Sequence, residues 1–247
     1  MKNSHLQSRN VALLLLIVSL VLYGVDYLVF GRVSEIGFGL LGNLAFLPIY
    51  VLFVTLMIER VLKERERLAL RQKLNMVIGV FFSEVGTVML KDCFGFIRNS
   101  GDLADQLKIT GQWTRADFRR AADFLTNHDI QADSRLGDLA ALKQFLMEKR
   151  GFMLGLLENP NLLEHEAFTD LLWAVFHLIE ELEARNALTG LPDSDLDHLS
   201  GDIKRAYGHL LRQWVVYIEH LKQDYPYLFS LAVRTNPMNP DARVEVG

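Results

Sequence analysis

Two long apolar runs near the N-terminus dominate the pattern of hydrophobic and polar positions along the chain. They cover residues 11–30 and 38–58, and only the short link 31–37 separates them. A helix needs about 20 apolar residues, at about 1.5 Å per residue, to cross the hydrocarbon core of a bilayer. The pattern therefore predicts a transmembrane helical hairpin over residues 11–58.

Basic residues flank these runs unevenly. Lys2 and Arg9 precede the first run, and Arg32 lies alone in the link. Six more follow the second run: Arg60, Lys63, Arg65, Arg67, Arg71 and Lys73. By the positive-inside rule both ends of the hairpin face the cytoplasm. We therefore expect a multi-pass protein of the cell's inner (plasma) membrane with both termini cytoplasmic, residues 1–10 included.

The segment 59–73 interleaves these basic residues with glutamates, which is typical of a solvated helix. It predicts a charged juxtamembrane stalk. The stalk either only sets the topology or also attracts anionic lipid headgroups, so the bilayer is the first expected partner.

Two polar side chains fall inside the predicted spans, Asp26 in the first and Asn43 in the second. Ionisable groups within a membrane are candidates for function. Asp26 lies about one turn from the outer end, where a carboxylate can reach water or bond to Asn43 across the hairpin. The alternative is a small ion pathway built on Asp26, which would require oligomers.

Beyond the stalk the apolar positions recur at steps of three and four, the spacing of amphipathic helices. The first such stripe is Leu70, Leu74, Val77, Phe81, Val85 and Val88. After a polar connection over residues 98–111, Thr114 and Asp117 form a capping-box pattern, and Asp133 or Ser134 is expected to cap the next helix. Two longer helices follow, and Pro226 ends the last of them.

The predicted fold class is therefore all-α: an N-terminal two-helix transmembrane hairpin, a helical stalk and a cytoplasmic helical bundle. The bundle is expected to span residues 74–224. An extended C-terminal tail, 225–247, is expected to follow it.

Composition narrows the function classes. Residues 1–73 carry nine Lys and Arg against five Asp and Glu, a net charge of +4, and the remainder carries 17 against 25, a net charge of −8. An acidic soluble part disfavours nucleic acid as a partner. The single cysteine, Cys93, excludes a disulfide within the chain.

Histidines and carboxylates concentrate on the last two long helices, which raises the question of a metal site. His177 and Glu181 are four residues apart, and Asp195, His198 and Asp202 share one helical stripe. Imidazole and carboxylate groups bind divalent transition metals. These five residues are the candidate ligands. The alternative is that they are solvated or hydrogen-bonded surface groups, and the Glu-x-x-His pairs of di-iron bundles do not occur.

We assign no catalytic residue and no cofactor, because the chain has no phosphate-binding, dinucleotide-binding or nucleophile-elbow motif. The sequence favours an integral membrane protein with a cytoplasmic all-α domain that acts as a non-enzymatic scaffold, regulatory or signal-transmitting protein. It is expected to form a homo-oligomer or to bind a protein partner. The first alternative is a membrane-tethered metal-binding enzyme or sensor. The second is a subunit of a small ion pathway.

Overall fold

The computed structural model describes residues 17–29, 31, 33–160, 162, 165–239 and 242–245, with the backbone alone for 33–35. Most of these residues are helical, and none of them belongs to a strand. One antiparallel bridge joins Ile97 to Ala132. The prediction of an all-α protein is confirmed. The expected cytoplasmic segment 1–10, residues 11–16 of the first predicted span, and Phe30 lie outside the described residues.

The helices of the described chain are, in order, α1 (Ile17–Val29), α2 (Val33–Phe81), a π-helical turn (Phe82–Gly86), α3 (Thr87–Phe94), α4 (Ser100–Leu107), α5 (Arg115–Asn127), α6 (Leu139–Leu157), α7 (Glu166–Ala184), α8 (Asp193–Asp224) and α9 (Pro226–Arg234). The chain divides into two compact units, residues 1–67 and 68–247. The finer boundaries between hairpin, stalk, bundle and tail stay predictions.

The first unit exposes its apolar side chains. Leu44 on α2 is 62% exposed and Phe53 is 67% exposed. Within the described residues, the helical stretch Ile36–Phe94 is long and apolar enough to cross a membrane, with a mean hydropathy of 2.1 in its most apolar window. The helix Ile17–Val29 is apolar but shorter. Length and composition alone do not establish a membrane span, so the hairpin stays a prediction here.

The second unit is a helical bundle built around α8, which packs against α3, α5, α7, α9 and the π-helical turn. An apolar stripe of α8 supplies buried side chains to this core, among them Leu199, Ile203, Leu210 and Trp214. Burial of one such side chain stabilises the fold by about 1.5–3 kcal/mol. Helix α7 packs its own apolar stripe against α8, and α6 packs against α7.

The π-helical turn changes the register of the first predicted stripe. Leu74, Phe81 and Val85 are buried as expected, but Val88 is 43% exposed. A π turn holds one residue more than an α turn, so the positions after it rotate around the helix axis. Met89 and Leu90 occupy the core instead.

Two predictions about helix ends have different outcomes. The capping box at Thr114 is present, with the Asp117 carboxylate accepting a hydrogen bond from the Thr114 backbone N–H at 2.6 Å. The predicted cap at Asp133 or Ser134 is wrong. Asp138 caps α6 by accepting from two backbone N–H groups, while arginine side chains bind the Asp133 carboxylate. The segment 98–111, predicted as a polar connection, contains α4.

The prediction of an extended tail is wrong for residues 226–234, which form α9. Pro226 does end α8, but proline also fits the first turn of a helix, where its missing N–H costs nothing. Two residues that follow α9, Asn236 and Met238, are buried. Asn236 donates from Nδ2 to the Leu107 carbonyl at 3.0 Å, and Met238 is fully buried against the Tyr207 hydroxyl.

Because Met238 is a core residue, Met238→Ala should lower the free energy of unfolding of the bundle by about 2–5 kcal/mol. Chemical denaturation of the 247-residue protein, followed by circular dichroism, measures this change. The matched control is Met76→Ala, since Met76 is 67% exposed. The placement of the tail is wrong if the two substitutions have equal effects.

Candidate metal centre

Helices α7 and α8 each carry one histidine and one carboxylate a single turn apart. His177 and Glu181 lie on α7, and His198 and Asp202 lie on α8. Residues four apart lie on the same face of a helix. Because the two helices bury their apolar stripes against each other, these polar pairs meet along one edge of the contact. The structure therefore brings together four of the five predicted ligands.

The four groups form a ring in which nitrogen and oxygen alternate. His177 Nε2 lies 3.8 Å from Glu181 Oε1 and 3.5 Å from Asp202 Oδ1. His198 Nε2 lies 3.4 Å from Glu181 Oε2 and 3.3 Å from Asp202 Oδ2. One ligand atom from each residue can be chosen so that all lie within 4.8 Å of one another. Two of these contacts join α7 to α8, and the other two lie within a single helix.

These separations match the size of a metal centre. A tetrahedral ion with metal–ligand distances of about 2.0–2.2 Å holds neighbouring ligand atoms about 3.3–3.6 Å apart. One ion takes one oxygen from each carboxylate, so two of the four distances apply at once. For Glu181 Oε1 and Asp202 Oδ2 they are 3.8 Å to His177 Nε2 and 3.3 Å to His198 Nε2. The four ligand atoms lie within 4.8 Å of one another, so these side chains would draw closer together to bind one divalent ion.

Each carboxylate has one oxygen bound by an arginine. Glu181 Oε2 accepts from Arg185 Nη1 at 2.8 Å, and Asp202 Oδ1 accepts from Arg205 Nη1 at 3.0 Å. The second oxygen of Asp202, Oδ2, is buried and accepts no hydrogen bond from the described residues, although His198 Nε2 lies 3.3 Å from it. Metal-ligating carboxylates are commonly held in this way, with an outer partner on one oxygen and the ion on the other.

Exposure differs sharply across the ring. The Asp202 side chain is 2% exposed and that of Glu181 is 26% exposed, whereas those of His177 and His198 are 43% and 53% exposed. The carboxylates therefore form the floor of the site and the imidazoles its rim. An ion held here is reached from the solvent side.

Asp195, the fifth predicted ligand, is not in the ring. Arg185 binds its carboxylate with two hydrogen bonds, from Nε at 2.9 Å and from Nη2 at 2.6 Å. The same guanidinium holds the pKa of Asp195 below its ordinary value, and it does the same, with a smaller contribution from His198, for the pKa of Glu181. Both carboxylates are therefore ionised well below neutral pH.

Two residues of the site were missed by sequence reasoning, Arg185 and Arg205. Their spacing was a usable signal, because Arg185 follows Glu181 by four residues and Arg205 follows Asp202 by three. Other histidines have different partners. His165 accepts from the Phe168 backbone N–H at the start of α7, and His220 pairs with Asp224 at 2.8 Å.

The polar residues predicted for the membrane region lie apart from this centre in sequence. Asp26 is half-buried on α1, and Asn43 is exposed on α2. The six juxtamembrane basic residues, Arg60, Lys63, Arg65, Arg67, Arg71 and Lys73, are all exposed, and Lys63 pairs with Glu59 at 2.7 Å. Their proposed roles stay predictions.

The fold and the ring together define an all-α protein with a candidate metal centre on one helix pair. Family models described as "MJ1433, N-terminal helical domain" and "Uncharacterized protein MJ1433, C-terminal helical domain" match residues 2–62 and 70–234. A relative, "Uncharacterized protein MJ1433" of Methanocaldococcus jannaschii, is 45% identical over 229 residues, which cover 93% of this chain and 92% of the relative. The chain belongs to the MJ1433 family. No solved structure matches it.

The Arg185 network predicts a specific pH dependence of stability. A carboxylate whose pKa is lowered on folding stabilises the protein above its unfolded pKa and loses that contribution as the pH falls through the folded pKa. With ordinary values of 4.5 for Glu181 and 3.8 for Asp195, the loss begins below about pH 4.5. Arg185→Gln should therefore be less stable than the original protein at pH 7, and the difference should shrink on acidification to pH 3.

Chemical denaturation with a chelator present, at several pH values, measures this difference. The control is Arg71→Gln, which replaces an exposed arginine outside the network and should show no such convergence. A difference for Arg185→Gln that is constant from pH 7 to pH 3 would contradict the assignment.

Proposed function

We propose that this protein is a membrane-anchored metal-binding protein with a regulatory role, in which one divalent transition-metal ion joins α7 to α8. The observation that carries the proposal is the buried Asp202 Oδ2, which accepts no hydrogen bond from the described residues and lies 3.3 Å from His198 Nε2 within the ring. A buried carboxylate oxygen without a partner costs free energy, and a bound cation removes that cost.

The donor set favours particular ions. Two imidazoles and two carboxylates supply nitrogen and oxygen ligands, which suit zinc, iron(II) and manganese(II). Ligating imidazoles are neutral, so the two carboxylates give the ring a charge of −2, which a divalent ion neutralises. Zinc is the most direct probe, because it binds histidine nitrogen and carboxylate oxygen in four-coordinate sites.

A regulatory role follows from the position of the ion. Its four ligands come from two helices, so binding ties α7 to α8 at the contact on which the bundle is built. An ion that binds only the folded state, at 100 times its dissociation constant, stabilises that state by about 2.7 kcal/mol. Metal supply would thereby set the rigidity of this helix pair and of any surface that depends on it.

The membrane anchor belongs to the same proposal, and the exposed apolar surface of α1 and α2 supports it. None of the residues in the most apolar window of Ile36–Phe94 is buried within the protein. Apolar surface left in water costs about 25 cal/mol per Å², and lipid would remove this cost. Cytoplasmic termini, contact of residues 59–73 with anionic headgroups, homo-oligomerisation and a protein partner stay predictions, as does an ion pathway at Asp26.

Purified protein loaded with zinc and then desalted should retain one zinc per chain, measured by elemental analysis. Asp202→Asn and His198→Gln should each weaken zinc binding more than about tenfold, because each replaces a strong ligand by a neutral amide. Competition with a chromogenic chelator measures the affinity.

Glu180→Gln is the matched control, since Glu180 is the exposed neighbour of Glu181 and lies outside the ring. Chelator should lower the melting temperature of the zinc-loaded protein, and that shift should disappear in Asp202→Asn. The metal proposal fails if zinc binds substoichiometrically, or equally well to Asp202→Asn and Glu180→Gln.

The anchor predicts that the protein stays with the membrane pellet after alkaline carbonate washing and is released only by detergent. A reporter fused after residue 247 should be active in its cytoplasmic form and inactive in a form that requires export. Recovery of the protein in the carbonate supernatant would exclude the anchor. A reporter active only outside the cytoplasm would reverse the predicted orientation.

A further inference from the structure

A cleft lies directly beside the metal-ligand ring on the same helix pair. Asp170, Trp173, Ala174 and His177 of α7 line one side, and Arg205 and His209 of α8 line the other, around a volume of about 330 Å³. His177 belongs to both the ring and the cleft. A ligand in the cleft can therefore also reach an ion bound in the ring.

The walls of the cleft differ in chemistry. Trp173 is 58% exposed, although tryptophan is usually among the more buried side chains, so its ring offers a flat apolar surface. The Arg205 side chain is 56% exposed. Within the described part of the chain, it donates one hydrogen bond, from Nη1 to Asp202. Its other N–H groups can bind an oxyanion in the fork geometry of arginine. Ala174 is small and leaves room between them.

Charge makes the cleft dependent on the metal. Without an ion, the carboxylates of Glu181, Asp202 and Asp170 are balanced by the guanidinium groups of Arg185, Arg205 and Arg212. A divalent ion neutralises the ring and leaves a positive centre beside Arg205. Burial, together with Arg212 and Arg205, lowers the pKa of His209, while Asp170 opposes this, so the His209 imidazole is neutral at pH 7.

We propose that the metal-loaded cleft binds a small organic oxyanion with a planar apolar body. The oxyanion accepts hydrogen bonds from Arg205 and binds the ion as a fifth ligand, and the planar body lies against the ring of Trp173. This inference rests on the proposed metal site, because the ion supplies the second cationic contact for the oxyanion. It adds to that site a class of ligand, which would make the protein responsive to the metal and the oxyanion together.

Calorimetric titration of the 247-residue protein with phenylphosphonate and methylphosphonate tests the inference. Zinc stoichiometry is measured first, so that failure of the metal site is seen before any phosphonate is added and overturns both proposals. Both phosphonates should bind the zinc-loaded protein, and binding should be lost after chelation. Phenylphosphonate should bind about three to ten times more tightly, as expected for one aromatic contact.

Two substitutions separate the parts of the cleft. Trp173→Ala should abolish the preference for the phenyl compound and leave zinc stoichiometry unchanged. The matched control is Trp113→Phe, because Trp113 packs against Phe118 away from the cleft and phenylalanine keeps an aromatic ring there. Arg205→Gln, at saturating zinc, should weaken both phosphonates about tenfold or more.

The inference is overturned, and the metal proposal left standing, if zinc binds but neither phosphonate does. It is also overturned if phosphonate binding is the same with and without zinc. A phenyl preference that survives Trp173→Ala would contradict the assigned position of the planar body. An unchanged affinity in Arg205→Gln would contradict the assigned position of the oxyanion.

Discussion

The packing of α7 against α8 is the contact on which both the core and the candidate site depend. Each helix buries a wide apolar stripe, and the two helices run antiparallel. Two contacts show this, because the residue number increases along α7 from one contact to the next and decreases along α8. His177 faces Asp202, and Arg185 faces Asp195. Because the packing of the apolar stripes fixes the register between α7 and α8, it also fixes which polar residues at their edge contact each other. The site is thus a consequence of how the core is packed.

Asp202 shows how this constraint leads to function. A carboxylate that is 2% exposed is expensive to bury, and Arg205 satisfies only one of its oxygens. A protein selected only for stability could place an apolar residue at this depth. The cost is compensated if a cation binds the second oxygen, and the two histidines at the rim supply the remaining ligands. The same ion would give the neighbouring cleft a positive wall.

The fold was largely predictable because helical periodicity is a local property of the sequence. The prediction from periodicity was wrong where the helix is irregular. After the π-helical turn, Met89 and Leu90 lie in the core and Val88 does not. Pro226 was interpreted only as the end of α8, although proline also begins helices, and α9 was missed. The ligand pairs within each helix were predictable from their spacing. That Arg185 binds Asp195 could not be predicted, because it depends on the register between two helices.

X-ray absorption spectroscopy of the zinc-loaded protein tests the central claim most directly, because it reports the atoms bound to the ion. Four nitrogen and oxygen ligands at about 2.0–2.2 Å are predicted, with the multiple scattering characteristic of two imidazoles. His198→Gln should reduce the imidazole contribution to one. A zinc coordinated by six water-like oxygens, or by a sulfur from Cys93, would contradict a metal centre formed by α7 and α8.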